Sequence, residues 1–422
     1  MKLKRYCLLV FVFVWCTHFL SKTVTVTDSV WVLPLSMSII SEHNTNLDEY
    51  KGLLEAKNYY GTENINGHYY YMLPVGTSVL VSPILKVIDY CCKHILYMDL
   101  NQTIAAGYGN GIELFIASLL VALTSVIIFL IAFEISKSRW QSLVAVFIFA
   151  FCTSAWSIAS RALWSHTSSM LMLSIALLSL IRAKNNAKWL FVAGLAVAYA
   201  YVVRPTNSLS VIFFSLFVLI EHRKNMLWFG AGALLIFLPF IAYNYHIYHN
   251  LLSSYYLPKQ LKVGENNYLA NALMANLISP ARGLFFFSPI LIFSLAGIFT
   301  LIRNRRFSKL HFSVLLIIIF HYYIISSIST PFAGWSFGPR YFCDMIPYFI
   351  YFLIFFIQFL SGLNPGKLKS GIITVFVLFM GCSFFIHYKG ATHPATFMWN
   401  AEPNIDDHPE RVWDWTDLQF MR

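Results

Sequence analysis

What most limits the possible folds of this chain is a succession of apolar runs separated by short polar turns. The first, Tyr6 to Leu20, follows Lys2, Lys4 and Arg5. Ten more lie near Ile112 to Phe133, Ser142 to Ala159, Ser168 to Ile181, Trp189 to Val203, Leu209 to Ile220, Leu227 to Tyr243, Leu284 to Ile302, Phe312 to Ile328, Ile346 to Leu360 and Ile372 to Ile386. Such runs become spanning helices because hydrocarbon offers the backbone no hydrogen-bond partner outside the segment itself. Several fall short of the roughly 20 residues a straight span needs, so their boundaries are soft, and the two flanking Arg204-Pro205 can also be read as one broken unit. At 12% charged and 58% hydrophobic over 422 residues, the chain has about half the charge of a soluble globule. The expected fold class is all-α, a polytopic membrane protein of about 11 transmembrane helices forming a single domain over residues 1–422.

Charge orients these spans. The net charge is +11, but the basic residues form short clusters between apolar runs and not one stripe, which argues against a nucleic-acid partner. The clusters are Lys137 and Arg139; Arg182, Lys184 and Lys188; Arg223 and Lys224; Arg303, Arg305, Arg306 and Lys309; Lys367 and Lys369. They fall in alternate turns, as the positive-inside rule requires of cytoplasmic loops, while nearly every acidic residue falls in the other set. No small-x-small cleavage pattern follows the first run, so it is expected to remain as a helix with a cytoplasmic N-terminus. The expected location is the inner (plasma) membrane, with the C-terminal tail, 387–422, extracytoplasmic. Seven cysteines without C-x-x-C spacing and thirteen histidines that never cluster predict no metal site.

The long segment 21–110 becomes the first external loop, holding Asp28, Asp48, Glu49 and Tyr69-Tyr70-Tyr71. Within it Met72 to Val87 is apolar but broken by Pro74, Gly76 and Pro83, which predicts an interfacial or re-entrant helix. Asp28 lies where the first run leaves the membrane. A carboxylate half desolvated there is expected to hold a raised pKa and accept a proton, although Asp before an apolar run is also a favoured helix cap. On the same external side each turn offers an arginine beside aromatics, glycine or proline: Arg161, Arg204, Arg282 and Arg340. A guanidinium fork at that depth either snorkels or meets an anion such as phosphate. His166 reads equally as an interfacial hydrogen-bonding residue, and Trp335 as part of an aromatic belt.

The ordered set resembles the GT-C superfamily of membrane glycosyltransferases, and within it bacterial proteins similar to family 39, the protein-mannosyltransferase and aminoarabinose-transferase type. The resembling pieces are Asp28 after the first span, Tyr71-Met72-Leu73-Pro74-Val75-Gly76, Arg204-Pro205, Tyr243-Asn244, Ser279-Pro280-Ala281-Arg282-Gly283-Leu284-Phe285, Gly334-Trp335-Ser336-Phe337-Gly338-Pro339-Arg340-Tyr341, and the tail from Trp399-Asn400 through Arg411-Val412-Trp413-Asp414-Trp415. The resemblance implies transfer of a sugar, with inversion, from a polyprenyl-phosphate donor to a glycan, lipid or protein acceptor outside the membrane. It assigns the base to Asp28, with Asp48 and Glu49 in reserve. Ser29 stands where a second acidic residue is often found, which weakens a metal-assisted version.

The chemistry agrees with that expectation. An acceptor hydroxyl needs a base, and fixed cations stabilise a phosphate leaving group. Arg340 leads as phosphate contact, with Arg204, Arg161 and then Arg282 behind it; Tyr71, His166, Asn244 and Trp335 are candidate sugar or lipid contacts. The sequence has no Gly-rich phosphate loop, consistent with a lipid-linked donor. No cofactor is expected, and a divalent cation is left open. The alternative is a transporter or flippase for a lipid-linked or anionic substrate, which would carry ionisable residues deep in its spans and repeats between its halves.

Overall fold

The computed structural model describes residues 2–257 and 262–422. Each apolar run folds as helix. In chain order, α1 (Lys2–Phe19) leads into a long segment that forms α2 (Val32–Ser41), α3 (Lys51–Ala56), a hairpin of β1 (Thr62–Ile65) and β2 (His68–Tyr71), α4 (Gly76–Cys91) and α5 (Leu100–Ala105). There follow α6 (Asn110–Ser136), α7 (Arg139–Phe151), α8 (Ser165–Ala183), α9 (Trp189–Val203), α10 (Ser208–Glu221), α11 (Met226–Tyr248), α12 (Leu269–Ile278), α13 (Leu284–Phe287), α14 (Ile292–Arg303), α15 (Lys309–Ser327), α16 (Ile346–Gly362), α17 (Lys367–Thr392) and α18 (Ala395–Met398). The chain is an all-α, multi-pass membrane protein.

Among the described residues six helices, α6, α8, α11, α15, α16 and α17, with the turns that lead into α11 and α16, are long and apolar enough to cross a membrane. The other expected spans are shorter, with 13 residues in α7, 15 in α9, 14 in α10 and 12 in α14, or, in α1, open with three basic residues. They are short for a local reason. Each gives way at one end to irregular backbone: a wide turn over Ala155–Ala159 after α7, an extended Arg204 and a Pro205–Asn207 turn between α9 and α10, and a Pro289–Leu291 turn before α14. Arg204 has φ −151° because Pro205 excludes the helical conformation from the residue before it. The Arg204-Pro205 pair therefore separates two helices and does not kink one.

Helix packing without a hydrophobic drive depends on close approach. One close case is α9 against α11, where a Cβ added at Gly194 would lie 2.0 Å from the Phe229 carbonyl oxygen, and one at Gly232 would lie 2.0 Å from that of Phe191. In the long segment after α1, α4 packs on α2, with the buried Ser36 hydroxyl donating to the Ser78 carbonyl at 3.0 Å. The β hairpin turns back so that Tyr71, its last residue, reaches Asp28. The tail after α17 folds onto the same face, where Asp406 accepts from the Gly334 amide at 3.2 Å.

Candidate active site

The strand-like segment leaving α1 is fixed before it reaches Asp28. Arg161, fully buried, donates from Nη1 to the Ser21 carbonyl at 2.8 Å and from Nη2 to that of His18, and its own carbonyl accepts from the Thr25 amide at 3.2 Å. A cation on the last carbonyls of a helix completes groups that otherwise have no intrahelical partner. Arg161 is thus spent on the end of α1 and does not face a cavity. Asp28 then opens a tight turn, Asp28–Trp31, that leads into α2.

Opposite stands the turn before α16. Gly338 is in the left-handed region at φ +57°, its amide donates to Gln419 at 2.9 Å, and a Cβ there would fall 2.6 Å from the Phe287 ring. The chain that follows Pro339 therefore has one course, and it delivers Arg340 to Asp28: Nη1 lies 2.9 Å from Oδ2. Arg340 also donates to the Ala333 carbonyl at 3.2 Å and lies 4.2 Å over the Trp164 ring. Trp164 is itself held by the buried Glu113, which accepts from the adjacent Leu163 amide at 2.7 Å. Tyr60 donates to Asp28 Oδ1 at 2.7 Å, and the Tyr71 hydroxyl to the Asp28 carbonyl.

Burial pushes the Asp28 carboxyl up, but the Arg340 guanidinium and the Tyr60 hydrogen bond outweigh it and hold the group below its ordinary range. The raised pKa expected from position is corrected: the desolvation is there, and a paired cation overrides it. The same carboxylate raises the Tyr60 hydroxyl, where burial is the larger cause. The side chain of Asp28 remains 33% exposed, so it is paired yet reachable.

A cavity of about 200 Å³ lies on one side of the Asp28–Arg340 pair, lined also by Tyr60, Tyr71, Pro74, Trp164, His166, Arg204, Tyr255 and Tyr341. Arg204 enters it from the break between α9 and α10. Its Nε is 2.8 Å from the fully buried Asp344, and its Nη1 donates to His166 Nε2 at 2.9 Å and Ser165 at 3.2 Å. A guanidinium cannot accept, so His166 carries its proton on Nδ1, facing Asp344 at 3.3 Å. Arg204 Nη2 makes no hydrogen bond among the described residues. On the other side of the pair a wider cavity of about 620 Å³ is bounded by Lys57, Gly334, Trp335, Phe397 and Asp406, and shares Asp28, Tyr60, Arg340 and Tyr341 with the first. Asp406 is raised above the usual carboxylate range, chiefly by burial.

Of the residues singled out in the sequence, Asp28, Arg340, Arg204, His166 and Tyr71 meet in one cavity, and Trp335 lines the adjoining one. The others lie elsewhere. Arg282 is buried and donates to the carbonyls of Phe332 at 2.6 Å and Gly334 at 2.9 Å, and to Asn400 at 2.8 Å, tying the turn to the tail. Asn244 bridges the Phe240 carbonyl and the Ser253 amide at the end of α11. Asp48 accepts from the Tyr69 amide at 2.9 Å and contacts His68 at 2.6 Å in the hairpin, and Glu49 accepts from Ser38. Asp344, Tyr60, Trp164, Tyr255 and Asp406 were not foreseen. For Asp344 there was a signal: a carboxylate four residues after Arg340, entering an apolar run, must be paired. Among the described residues no group of three or more His, Cys, Asp or Glu side chains could hold a metal ion.

No family model matches the chain, and no curated protein matches it. Solved structures do. ArnT from Cupriavidus metallidurans, in a structure bound to undecaprenyl phosphate, superposes with a TM-score of 0.57 at 11% identity over 98% of this chain and 74% of that one. The oligosaccharyltransferase AglB from Archaeoglobus fulgidus, in complex with an inhibitory peptide and a dolichol-phosphate, gives 0.55 at 13% identity over 98% of this chain and 60% of that one. Superposition over 98% of this chain on both structures gives it the fold shared with ArnT and AglB.

Proposed function

We propose that the protein is a membrane glycosyltransferase that moves a sugar from a polyprenyl-phosphate donor to a hydroxyl on a glycan, lipid or protein acceptor at the extracytoplasmic face, with inversion and with Asp28 as base. The observation that supports this most is the Asp28–Arg340 pair standing between two cavities. The smaller cavity offers Arg204 Nη2 and Arg340 to a phosphate, and the solved relatives of the fold hold undecaprenyl phosphate and a dolichol-phosphate. The wider one offers Trp335 and Asp406, an aromatic face and a carboxylate of the kind that grips a polar acceptor.

Asp28 paired to Arg340 is a weak base. A donor phosphate competing for Arg340 would relieve the carboxylate of its main lowering influence at the moment a hydroxyl approaches from the other side. The proton then passes from acceptor hydroxyl to Asp28, the acceptor oxygen bonds to the anomeric carbon from the face opposite the phosphate, and the C–O bond to phosphate breaks. Negative charge appears on a leaving phosphate already facing Arg204 and Arg340. Asp344 holds Arg204 and the His166 tautomer in place for it. No cofactor is required by this scheme. The inner membrane, with the basic loops on the cytoplasmic side, is the location it needs.

The test is to incubate proteoliposomes with a panel of polyprenyl-phosphate hexoses and pentoses and measure free polyprenyl phosphate and the anomeric configuration of the product. Release with an inverted product supports the reading; retention of configuration overturns the single-displacement step, and transbilayer movement of intact donors without release supports a flippase.

A further inference from the structure

At the other end of the helices a second polar cavity opens between α6, α14, α15 and α16. It lies beside Gln358, roughly 18 Å along α16 from Ile346 at 1.5 Å per residue, and so on the opposite face from Asp28. Its volume is about 370 Å³, and Thr300, Asn304, Arg306, His311, Gln358 and Phe359 line it.

The turn after α14 decides which groups face this space. Arg306 N–H donates to the Leu301 carbonyl at 2.9 Å and Arg305 N–H to that of Ile302 at 3.0 Å, with Arg305 left-handed at φ +54°. That pattern consumes the last carbonyls of α14 and turns the chain back over the cavity. The Ile135 carbonyl accepts from Gln358 at 3.0 Å, and the Thr300 hydroxyl is spent on Ala296 at 2.8 Å. His311 is 8% exposed, and its Nδ1 accepts the Ser308 amide proton at 2.8 Å. The imidazole proton is therefore on Nε2, a buried donor with no hydrogen-bond partner among the described residues. Arg306 has no ion pair among them, whereas nearby Lys309 is taken by Glu221 at 2.5 Å.

The polar groups left over include three sets of donors, an imidazole N–H, a guanidinium and the Asn304 side-chain N–H groups, beside the amide oxygens of Asn304 and Gln358. We propose that this cavity binds a phosphate group, presented by a lipid headgroup of the leaflet on that side. A phosphate oxygen would complete His311 Nε2, and a second would meet the Arg306 fork. A lipid is favoured over a soluble anion because Leu301, Phe355 and Phe359 line the cavity beside the polar groups and α14 carries exposed apolar side chains, Phe299 and Ile302. The bound headgroup would tie the α14–α15 turn to α6 and α16. The inference is independent of glycosyl transfer.

The experiment uses the full chain, delipidated in detergent, with binding of dioctanoyl-phosphatidylglycerol, dioctanoylglycerol and inorganic phosphate followed by native mass spectrometry. Arg306→Glu removes the exposed cation, and His311→Asn keeps an acceptor for the Ser308 amide while removing the donor. Each variant is expected to weaken phosphatidylglycerol binding by at least about tenfold, as loss of a charge-assisted contact should. Inorganic phosphate that competes only weakly supports the lipid source; phosphate that binds as tightly as the lipid keeps the phosphate site but makes its ligand soluble. Equal lipid affinity in all three proteins, or equal binding of the uncharged diacylglycerol, would overturn the proposal.

Discussion

Asp28 and Arg340 are 312 positions apart in sequence and 2.9 Å apart in space. The pairing has a measurable consequence for pH. The carboxyl is lowered in the folded chain, so the stabilisation from the pair is fully present above the ordinary carboxylate pKa of about 4 and is lost as pH falls through the lower folded value. The acid limb of kcat/KM, which reports the donor-free enzyme, should accordingly hold its plateau into mildly acidic conditions. Arg340→Gln removes the chief lowering influence, and the acid limb of the residual activity should move to higher pH, as read from a pH–rate profile. At Asp344 the expected effect is on stability as well as binding. Asp344→Asn leaves Arg204 without its buried partner, should cost about 3–5 kcal/mol in chemical denaturation, and should raise donor KM more than it lowers kcat. At this scale the sequence was legible in part. Arginine beside glycine, proline or aromatics at the membrane boundary marked Arg340 first and Arg204 behind it, but it also marked Arg161 and, last, Arg282. The same local signal arises when a guanidinium satisfies helix-end or turn carbonyls, and only the fold distinguishes the two uses. Tyr60 and Trp164 carried no signal, because tyrosine and tryptophan are common at any membrane interface.

Among the helices, the apolar runs fold as helix, several of them short as their lengths in the sequence implied; six are long and apolar enough to cross a membrane among the described residues. Where a run ends in Pro205 or Pro289 the backbone leaves helix, and such a break is what places Arg204 in a cavity. The close pair α9 and α11 supports that break from behind. Gly232→Leu would force a side chain into the Phe191 carbonyl, so the helices must separate; the expected result is a loss of several degrees in Tm with donor affinity lowered through Arg204. The turn after α14 offers the converse. Arg305 occupies a left-handed position usually given to glycine, and Arg305→Gly should stabilise by about 1 kcal/mol in thermal unfolding without touching the external site.

For the molecule as a whole, alternation of basic and acidic turns implied that the first loop and the tail share a side, and the structure puts Asp406 of the tail in a cavity with Asp28. Composition could not show that this tail supplies a wall of the site, since contacts over such separations leave no local pattern. The two polar faces make a topological prediction. In a variant lacking the seven native cysteines, a single cysteine replacing Glu410 should react with an impermeant reagent added outside intact cells, and one replacing Arg303 only after permeabilisation. The central claim, however, is that one carboxylate takes the acceptor proton beside a cation that holds the donor phosphate. It is tested most directly by single-turnover release of polyprenyl phosphate from a pre-bound labelled donor, in wild type and in Asp28→Asn. The account predicts that both bind the donor and that the variant releases product about 10²–10⁴-fold more slowly; equal rates in the two proteins would contradict it.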